Sequence, residues 1–313
     1  GQWDAMQMFA RARAVLHPDG RLVVGSAASD IGTGTYTVMS MIAAETLGLP
    51  LEQVTFELGD STLPVAPIEG GSSHVSTIGS AVEGACIKLR KQLLALARAM
   101  PGSPYARARL EDVVFAQGTL ALAGDPATAV PLTTLLADAG GRSIEARYLL
   151  LPDLLTQRKY VRATHSAVFV EVRVDEELGT VRVMRVVSAI AAGRILNTTT
   201  ARSQIVGGVI WGIGGALHEH TEADHRFGRF MNHDLAQYHV SVNADIHDID
   251  VIFAEEDDRV VSSLGAKGVG EIGLVGVSAA ISNAIYHAIG KRIRNTPITP
   301  DKVMLHDEAT PVE

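Results

Sequence analysis

The sequence is short of the residues that several kinds of protein depend on. It has one cysteine, Cys86, in 313 residues, which excludes an internal disulfide framework, a cysteine-based zinc site and a thiolate-held iron–sulfur cluster. Any redox chemistry therefore needs a cofactor held by other atoms. Aromatic residues make up 5% of the chain, and its 27 basic residues are outnumbered by 35 acidic ones, for a net charge of -8. With no basic block either, a nucleic-acid backbone is not an expected partner, which leaves small molecules and other proteins. No apolar run approaches the roughly 18 to 20 residues of a membrane-spanning helix, so no membrane span is expected. The opening Gly1-Gln2-Trp3-Asp4 has no initiator methionine and no signal-peptide pattern. The chain is expected to be the later part of something longer, with a cytoplasmic or periplasmic location and any export shared with a partner. Apolar residues are plentiful, at 47%, and glycine, at 30 residues, is about a tenth of the chain against an average near 7%.

Periodicity and turn residues place the elements. Ala10 to Leu16 and Arg21 to Ala28 flank His17-Pro18-Asp19-Gly20 and read as a hairpin. Apolar residues recur at helical spacing from Tyr36 to Leu47, ahead of Gly48 and Pro50; Gln53 to Leu58 is a strand, and Ile78 to Met100 a long helix ended by Pro101-Gly102. Asp112 to Leu122 is a second hairpin around Gly118, Pro131 to Ala139 a short helix, and Leu149 to Lys159 a connection. The alternating runs His165 to Val174 and Thr180 to Ile190, joined through Glu177-Leu178-Gly179, form a further hairpin. A helix follows over Thr198 to Leu217, then loose strands to Ala254 and a last helix from Ile272 to Ile289, closed by Gly290 and basic residues. Both halves thus run hairpin, helix, strand, helix, which predicts two related α+β units without a residue-level repeat.

Three glycine-rich turns stand ahead of predicted helices: Asp30 to Thr35, Glu69 to His74 and Gly265 to Glu271. Such turns let a ligand approach the backbone, and the N–H groups of a helix start hold phosphates and other anions. Turns that merely need positive φ give the same pattern one at a time, but three in one chain point to a large polyanionic cofactor held mainly by backbone. The predicted helix Thr198 to Leu217 contains Gly207, Gly208, Gly212, Gly214 and Gly215, each costing about 1 kcal/mol against alanine. Something must approach it closely, either a packed neighbour or a cofactor on the glycine face, with Gln204 offering an amide that can donate and accept. Gly268, Gly270 and Gly273 fit the dinucleotide fingerprint by spacing, but the acidic residue required about 20 positions on is missing. Six histidines fall between His218 and His247; a polar loop accounts for them more simply than a metal site, because spacing places no third ligand. Cys86 has apolar neighbours and belongs to the core. Glu271 is expected to project from the N-terminus of the last helix beside the third turn, where an ionised carboxylate can act as general base or simply cap the helix.

Asp30-Ile31-Gly32-Thr33-Gly34-Thr35-Tyr36-Thr37, Gly59-Asp60 followed by Gly70-Gly71-Ser72, the run Ala201 to Gly214, and Lys267-Gly268-Val269-Gly270-Glu271 together resemble the C-terminal half of the molybdenum-binding subunit of the xanthine dehydrogenase and aldehyde oxidoreductase family. The order and spacing match across nearly the whole chain. The resemblance implies an α+β fold of two interlocked molybdopterin-binding units, each with β-hairpins and helices, over residues 1–148 and 149–313, the second carrying the catalytic glutamate. It implies a molybdenum ion held by the pterin dithiolene, with no metal ligand from the protein and with oxo, sulfido and hydroxide ligands. The glutamate matching Glu271 takes a proton from the hydroxide, which attacks an aldehyde or N-heterocycle while hydride passes to the sulfido ligand. By the same resemblance, cofactor contacts fall to Gly32, Thr33, Gly34, Gly70, Gly71, Ser72, Ser73, Gln204, Lys267, Gly268, Val269 and Gly270.

Two departures stand out. Thr33 lies where many relatives carry a pterin-contacting glutamine, and Ile272-Gly273 stands where xanthine-oxidising relatives commonly have two prolines. With Ala201-Arg202-Ser203-Gln204, the second is more similar to the bacterial periplasmic aldehyde oxidoreductase branch. That branch implies an aldehyde substrate, with purines or nicotinate second, and the cytosine dinucleotide form of the pterin. The implied partners are the N-terminal half of the molybdenum subunit, an iron–sulfur subunit and a flavin subunit, so iron–sulfur clusters and FAD belong to partners alone. The rival readings are a scaffold half without cofactor and a histidine-based metalloenzyme.

Overall fold

The structure is a computed structural model that describes residues 1–304; the end of the second expected unit, residues 305–313, lies outside the described residues. In chain order the elements begin with β1 (Gln2–Asp4), β2 (Ala10–Leu16), β3 (Leu22–Gly25), α1 (Thr35–Leu47), β4 (Val54–Glu57) and α2 (Ser80–Ala99). Next come β5 (Val113–Ala116), β6 (Thr119–Leu122), β7 (Asp125–Pro131), α3 (Leu132–Asp138), β8 (Ile144–Leu150) and α4 (Leu154–Gln157). The remainder is β9 (Ala163–Asp175), β10 (Thr180–Ala191), α5 (Thr198–Leu217), β11 (Ala223–Asp224), β12 (Arg229–Phe230), β13 (Asp248–Phe253), α6 (Val277–Ile289) and α7 (Pro300–Met304).

Two four-stranded sheets share one plan. In the first, ordered β4-β3-β2-β8, the hairpin β2–β3 is antiparallel, β4 returns parallel to β3 after α1, and β8 closes the other edge antiparallel to β2. In the second, ordered β1-β9-β10-β13, the hairpin β9–β10 is followed by α5 and by β13 parallel to β10, and β1 lies antiparallel on β9. Each sheet carries two helices, α1 and α2 on the first and α5 and α6 on the second. Each has its own core, one built around Leu16, Leu22, Met39, Leu47, Leu89 and Leu93 and the other around Val186, Ile190, Ile205, Val209, Ile281 and Ile285. The crossing chain segments are unequal: β1 comes from the N-terminus to the second sheet, while Leu264 and Ala266 join the first core. Among the described residues no helix is long and apolar enough to cross a membrane.

Several sequence expectations need correction. The expected connection from Leu149 to Lys159 is not plain chain: Leu149 and Leu150 complete β8, which pairs with all of β2 as the sheet edge, and Leu154–Gln157 forms α4. Glu145 and Arg147 take outward positions and Ala146 an inward one, so few large apolar residues mark the start of this strand. The second hairpin gains a third strand, β7, on β6. The long helix begins earlier than Ile78, through a π-helical turn over Val75–Gly79. The last helix begins later than Ile272. It starts at Val277, with Gly276 in the left-handed conformation as its N-cap, because residues 272 and 273 are used in packing before the helix can form.

Candidate functional site

The four loops that precede α1, α2, α5 and α6 occupy equivalent places in the two units, and they converge on one cavity of about 350 Å³. Of the residues the sequence singled out, the cavity gathers Thr33, Gly34, Gly70, Gly71, Ser72, Ser73, Gln204, Lys267, Gly268, Val269, Gly270 and Glu271; Gly32 does not line it. The remaining walls include the apolar Ile31, Val38, Val75, Ile195 and Leu196. The N-terminal segment braces the second loop from behind: the Trp3 indole N–H donates to the Gly71 carbonyl at 3.4 Å, the Gln7 amide to the Ser76 carbonyl at 2.7 Å, and the Ser76 hydroxyl to the Met6 carbonyl at 2.8 Å.

Glu271 meets the second loop directly. The Ser72 hydroxyl accepts the Glu271 backbone N–H at 3.0 Å and donates to the Glu271 carboxylate. The loops can come this close because residue 268 is glycine: a Cβ there would stand 1.8 Å from the Ser72 carbonyl oxygen. The Thr164 hydroxyl donates to the Gly268 carbonyl at 3.0 Å and holds the loop from its other side. Glu271 itself lies in a run of turns six residues ahead of α6. The expected helix N-terminus is therefore not beneath it, and neither dipole stabilisation nor helix capping describes its role. The same geometry disposes of the dinucleotide fingerprint, since Gly268 to Gly273 does not open a helix.

The glycines of α5 divide between the two expected explanations, and packing takes the decisive ones. A Cβ at Gly208 would lie 2.7 Å from Gly273 carbonyl carbon and Leu274 nitrogen, and one at Gly212 would lie 2.4 Å from Val277 Cβ. The chain running into α6 covers Gly208 and Gly212, whereas a Cβ at Gly207 or Gly215 would meet nothing within 4 Å among the described residues. Gln204, Gly208 and Gly212 share one helix stripe by their spacing of four. Docking the 273–277 segment on that stripe sets Glu271 and Gln204 on the same cavity wall. Ile272 is fully buried in the second core, and Gly273 packs on Ile205. The Ile272-Gly273 departure is thus a packing feature that does not line the cavity.

The helix starts are less open to anions than the sequence suggested. The Asp30 carboxylate accepts backbone N–H groups of Gly32 at 2.9 Å, Gly34 at 3.3 Å and Tyr36 at 3.4 Å. Burial pushes its pKa up, but these donors outweigh burial and hold it below the usual carboxylate range. The turn before α1 therefore already contains its anion, and Gly32 and Gly34 have no N–H to spare for a phosphate. At α5 the Asn197 side chain caps the Thr199 and Thr200 N–H groups, both at 3.0 Å. The Thr33 hydroxyl is turned to Glu69, donating at 3.0 Å to the carboxylate that also accepts from the Ser29 hydroxyl at 2.5 Å. Glu69 therefore ties the first loop to the second.

Both basic residues at the cavity are committed elsewhere. The Lys267 side chain is 2% exposed, and its ammonium reaches Glu256 at 2.7 Å and the Ala163 carbonyl at 2.9 Å. Only its backbone is available to a ligand. Burial raises the Glu256 pKa, yet Lys267 and the Gly193 N–H outweigh that and hold it below the ordinary range. Arg194 is paired with both oxygens of Glu45, at 2.7 and 2.8 Å. His74 is buried at the cavity wall with no hydrogen-bond partner for either ring nitrogen among the described residues. Burial holds its pKa below the usual histidine value, against the pull of Glu69 and Asp30. Cys86 is buried core, its thiol pKa pushed up to about 12 by burial. The histidine-rich segment gathers no metal site: no cluster of three His, Cys, Asp or Glu suited to a metal occurs among the described residues.

Sequence reasoning gave no role to Asn197, Arg194 and Trp211, which also line the cavity, nor to the Glu69 side chain, named only as the first residue of the second turn. Asn197 carried a readable signal, an N-cap residue just before a helical run. The other three carried none, because their places depend on the docking of the two units.

A sequence model described as the molybdopterin cofactor-binding domain matches residues 2–247. The aldehyde oxidoreductase molybdenum-binding subunit PaoC of Escherichia coli (strain K12) is 44% identical over 293 residues, which is 94% of this chain and 38% of that protein. The putative xanthine dehydrogenase molybdenum-binding subunit XdhA of the same strain is 28% identical over 316 residues, covering 96% of this chain and 40% of that protein. Among solved structures, quinoline 2-oxidoreductase from Pseudomonas putida 86 has the same fold, with a TM-score of 0.83 at 24% identity over 94% of this chain and 38% of that one. The chain thus spans about two fifths of the length of the relatives it matches. With its two matching sheets and the loops between them, the chain belongs to the molybdopterin cofactor-binding domain family, as part of a molybdenum-binding subunit of the xanthine dehydrogenase and aldehyde oxidoreductase type.

Proposed function

We propose that this chain forms one face of the active site of a molybdenum hydroxylase that oxidises an aldehyde to a carboxylic acid, with Glu271 as general base. The observation that carries the reading is the junction of Ser72 and Glu271 on the wall that also presents Gln204. The residues fit a molybdopterin. Gly70 lines the cavity with no atom within 4 Å of where a Cβ would stand among the described residues, so a planar ligand can lie against its backbone. The Gln204 amide offers the paired donor and acceptor that a pterin edge needs, and the Gly268 to Gly270 backbone borders the same space. When bound, the cofactor supplies a molybdenum centre that takes up the two electrons of the oxidation.

The chain's own part is to hold and to move a proton. Glu271 accepts the proton released as the oxygen nucleophile forms, through a carboxylate placed at the cavity wall. Val38, Ile195 and Leu196 add apolar lining to the same cavity. The cavity volume is at the lower end for a small-molecule site, and relatives are more than twice as long as this chain. The rest of the cage is accordingly assigned to the N-terminal half of the subunit, and electron transfer to an iron–sulfur subunit and a flavin subunit, in the cytoplasm or periplasm. The cofactor is assigned as the cytosine dinucleotide, on similarity to bacterial relatives. Its phosphates are expected on backbone outside the α1 turn, which Asp30 fills. The aldehyde assignment rests on the 44% identity to an aldehyde oxidoreductase subunit.

Replacing Glu271 by Gln in the assembled enzyme tests the reading. The amide keeps the shape but cannot take a proton, so turnover per molybdenum should fall about 100- to 10,000-fold with cofactor content retained. A variant within about threefold of the parent, far short of general-base range, overturns the assignment. An enzyme that hydroxylates purines or nicotinate and leaves aromatic and aliphatic aldehydes untouched overturns the substrate.

A further inference from the structure

We infer that Ser72 is a positioning residue for Glu271, a hydroxyl clamp that fixes the direction of the carboxylate; this rests on Glu271 being the general base. Ser72 adopts φ 57°, and among the described residues Gln117 is the other non-glycine residue with positive φ. Glycine occupies such backbone freely whereas an L side chain is strained there, and the neighbouring Gly71, at φ 61°, shows the cheaper solution. A side chain kept at residue 72 in spite of that strain points to a use for it.

The use is visible in the hydrogen bonds. One hydroxyl accepts the Glu271 N–H at 3.0 Å and donates to Oε2 of the same residue, 199 positions away in sequence. It therefore sets both the backbone and the far end of Glu271. A glutamate on a run of turns has no helix to restrict its rotamers, so holding one oxygen is what aims the other. Room for the clamp comes from Gly270, where a Cβ would stand 3.1 Å from Ser72 Oγ and 3.8 Å from Gln204 Oε1. The clamp is not needed to hold the loops together. Trp3 holds Gly71 and Thr164 holds Gly268, and Trp3 and Thr164 are paired neighbours on β1 and β9.

The test uses Ser72→Gly and Ser72→Ala in the assembled enzyme, each alone and combined with Glu271→Gln. Ser72→Gly removes the hydroxyl while relieving the backbone, so it should melt no lower than the parent and keep its molybdenum and pterin. Its kcat should nevertheless fall about 10- to 100-fold, as for a misdirected reacting group, with KM within about twofold and Ser72→Ala showing the same split. In the Glu271→Gln background, removing the hydroxyl should change residual turnover by less than about twofold, because the clamp acts only through Glu271. The inference is overturned if Ser72→Gly keeps the parent kcat while Glu271→Gln is inactive. It is equally overturned if activity falls in step with lost pterin, or if the loss multiplies in the Glu271→Gln background. An active Glu271→Gln enzyme instead removes the general-base reading, and the clamp's purpose with it.

Discussion

Replacing Gly268 by alanine puts one methyl group into the junction that assembles the site. Its Cβ would stand 1.8 Å from the Ser72 carbonyl oxygen, 2.6 Å from Ser72 Cβ and 2.7 Å from its carbonyl carbon, where ordinary contact begins at 3.4 Å. The separation must therefore grow by 3.4 - 1.8 = 1.6 Å. The obstacle is backbone, so no side-chain rotation relieves it and the loops themselves must part. Thr164 opposes movement of residue 268, and Trp3 opposes movement of the loop at residue 71. Overpacking of this kind costs about 1 to 3 kcal/mol, which both cores can absorb. Function should suffer more, since a displacement of about 1 Å at a reacting centre can cost on the order of 100-fold in rate. The expected result is turnover per molybdenum reduced at least 100-fold on that basis, with a correctly assembled enzyme and a modest loss of stability. The assay is steady-state turnover normalised to metal, with hydrogen exchange at the 268–272 amides reporting whether the junction opens. A Gly268→Ala enzyme with near-parental turnover and unchanged exchange would refute the close approach of these loops.

Gly70→Ala should leave the melting temperature unchanged, since its Cβ meets nothing within 4 Å among the described residues, yet lower pterin and molybdenum content by occupying the cofactor's side; unchanged content would clear Gly70 of any contact. Lys267→Met should destabilise the protein by about 3 kcal/mol, the low end for breaking a buried pair because Glu256 stays partly in water. The pH dependence has a definite sign. The folded Glu256 pKa is depressed, so its stabilisation is complete above the unfolded carboxylate value of about 4.3 and is lost as pH falls through the lower folded value. Acid titration of the parent should show that loss, and Lys267→Met should show less of it; equal acid sensitivity would remove the pair from the stability account. The chain expressed alone should aggregate and carry no molybdenum, because Leu151, Leu154, Tyr160, Leu155 at 78% and Val161 at 92% exposure present apolar surface together; a soluble, metal-loaded monomer would contradict this.

Local pattern was enough to place much of the fold. The alternation of Val168, Val170, Val172 and Val174 marks a strand whose two faces differ, and the observed β9–β10 hairpin follows it. Helix α5 runs over the predicted residues because Asn197 caps one end and an apolar run fills the rest. Glycine-rich turns and Glu271 were legible as a site because those residue types are unusual where they stand, and their order carried the family resemblance. What the turns do was not legible. The Asp30 turn has the pattern of an anion nest, but its own carboxylate occupies it, and where a side chain within a turn is aimed is fixed only by the fold. The α5 glycines fitted a cofactor or a packed neighbour equally until Gly273 and Val277 were found against them. That packing also delays α6 to Val277 and leaves Glu271 on a loop, where sequence periodicity had put it on a helix.

The sequence by itself determined which segments have a buried face, where the chain turns, and which residues could perform acid–base chemistry or let a ligand near the backbone. Tertiary structure alone decided that β1 and β8 close opposite sheets, that Lys267 turns away from the cavity to Glu256, and that Ser72 and Glu271 meet. The physical reason lies in range. Periodicity and capping act over one or two helical turns, whereas a contact between residues 199 positions apart depends on how two separate cores meet through a glycine with no side chain to keep the loops apart.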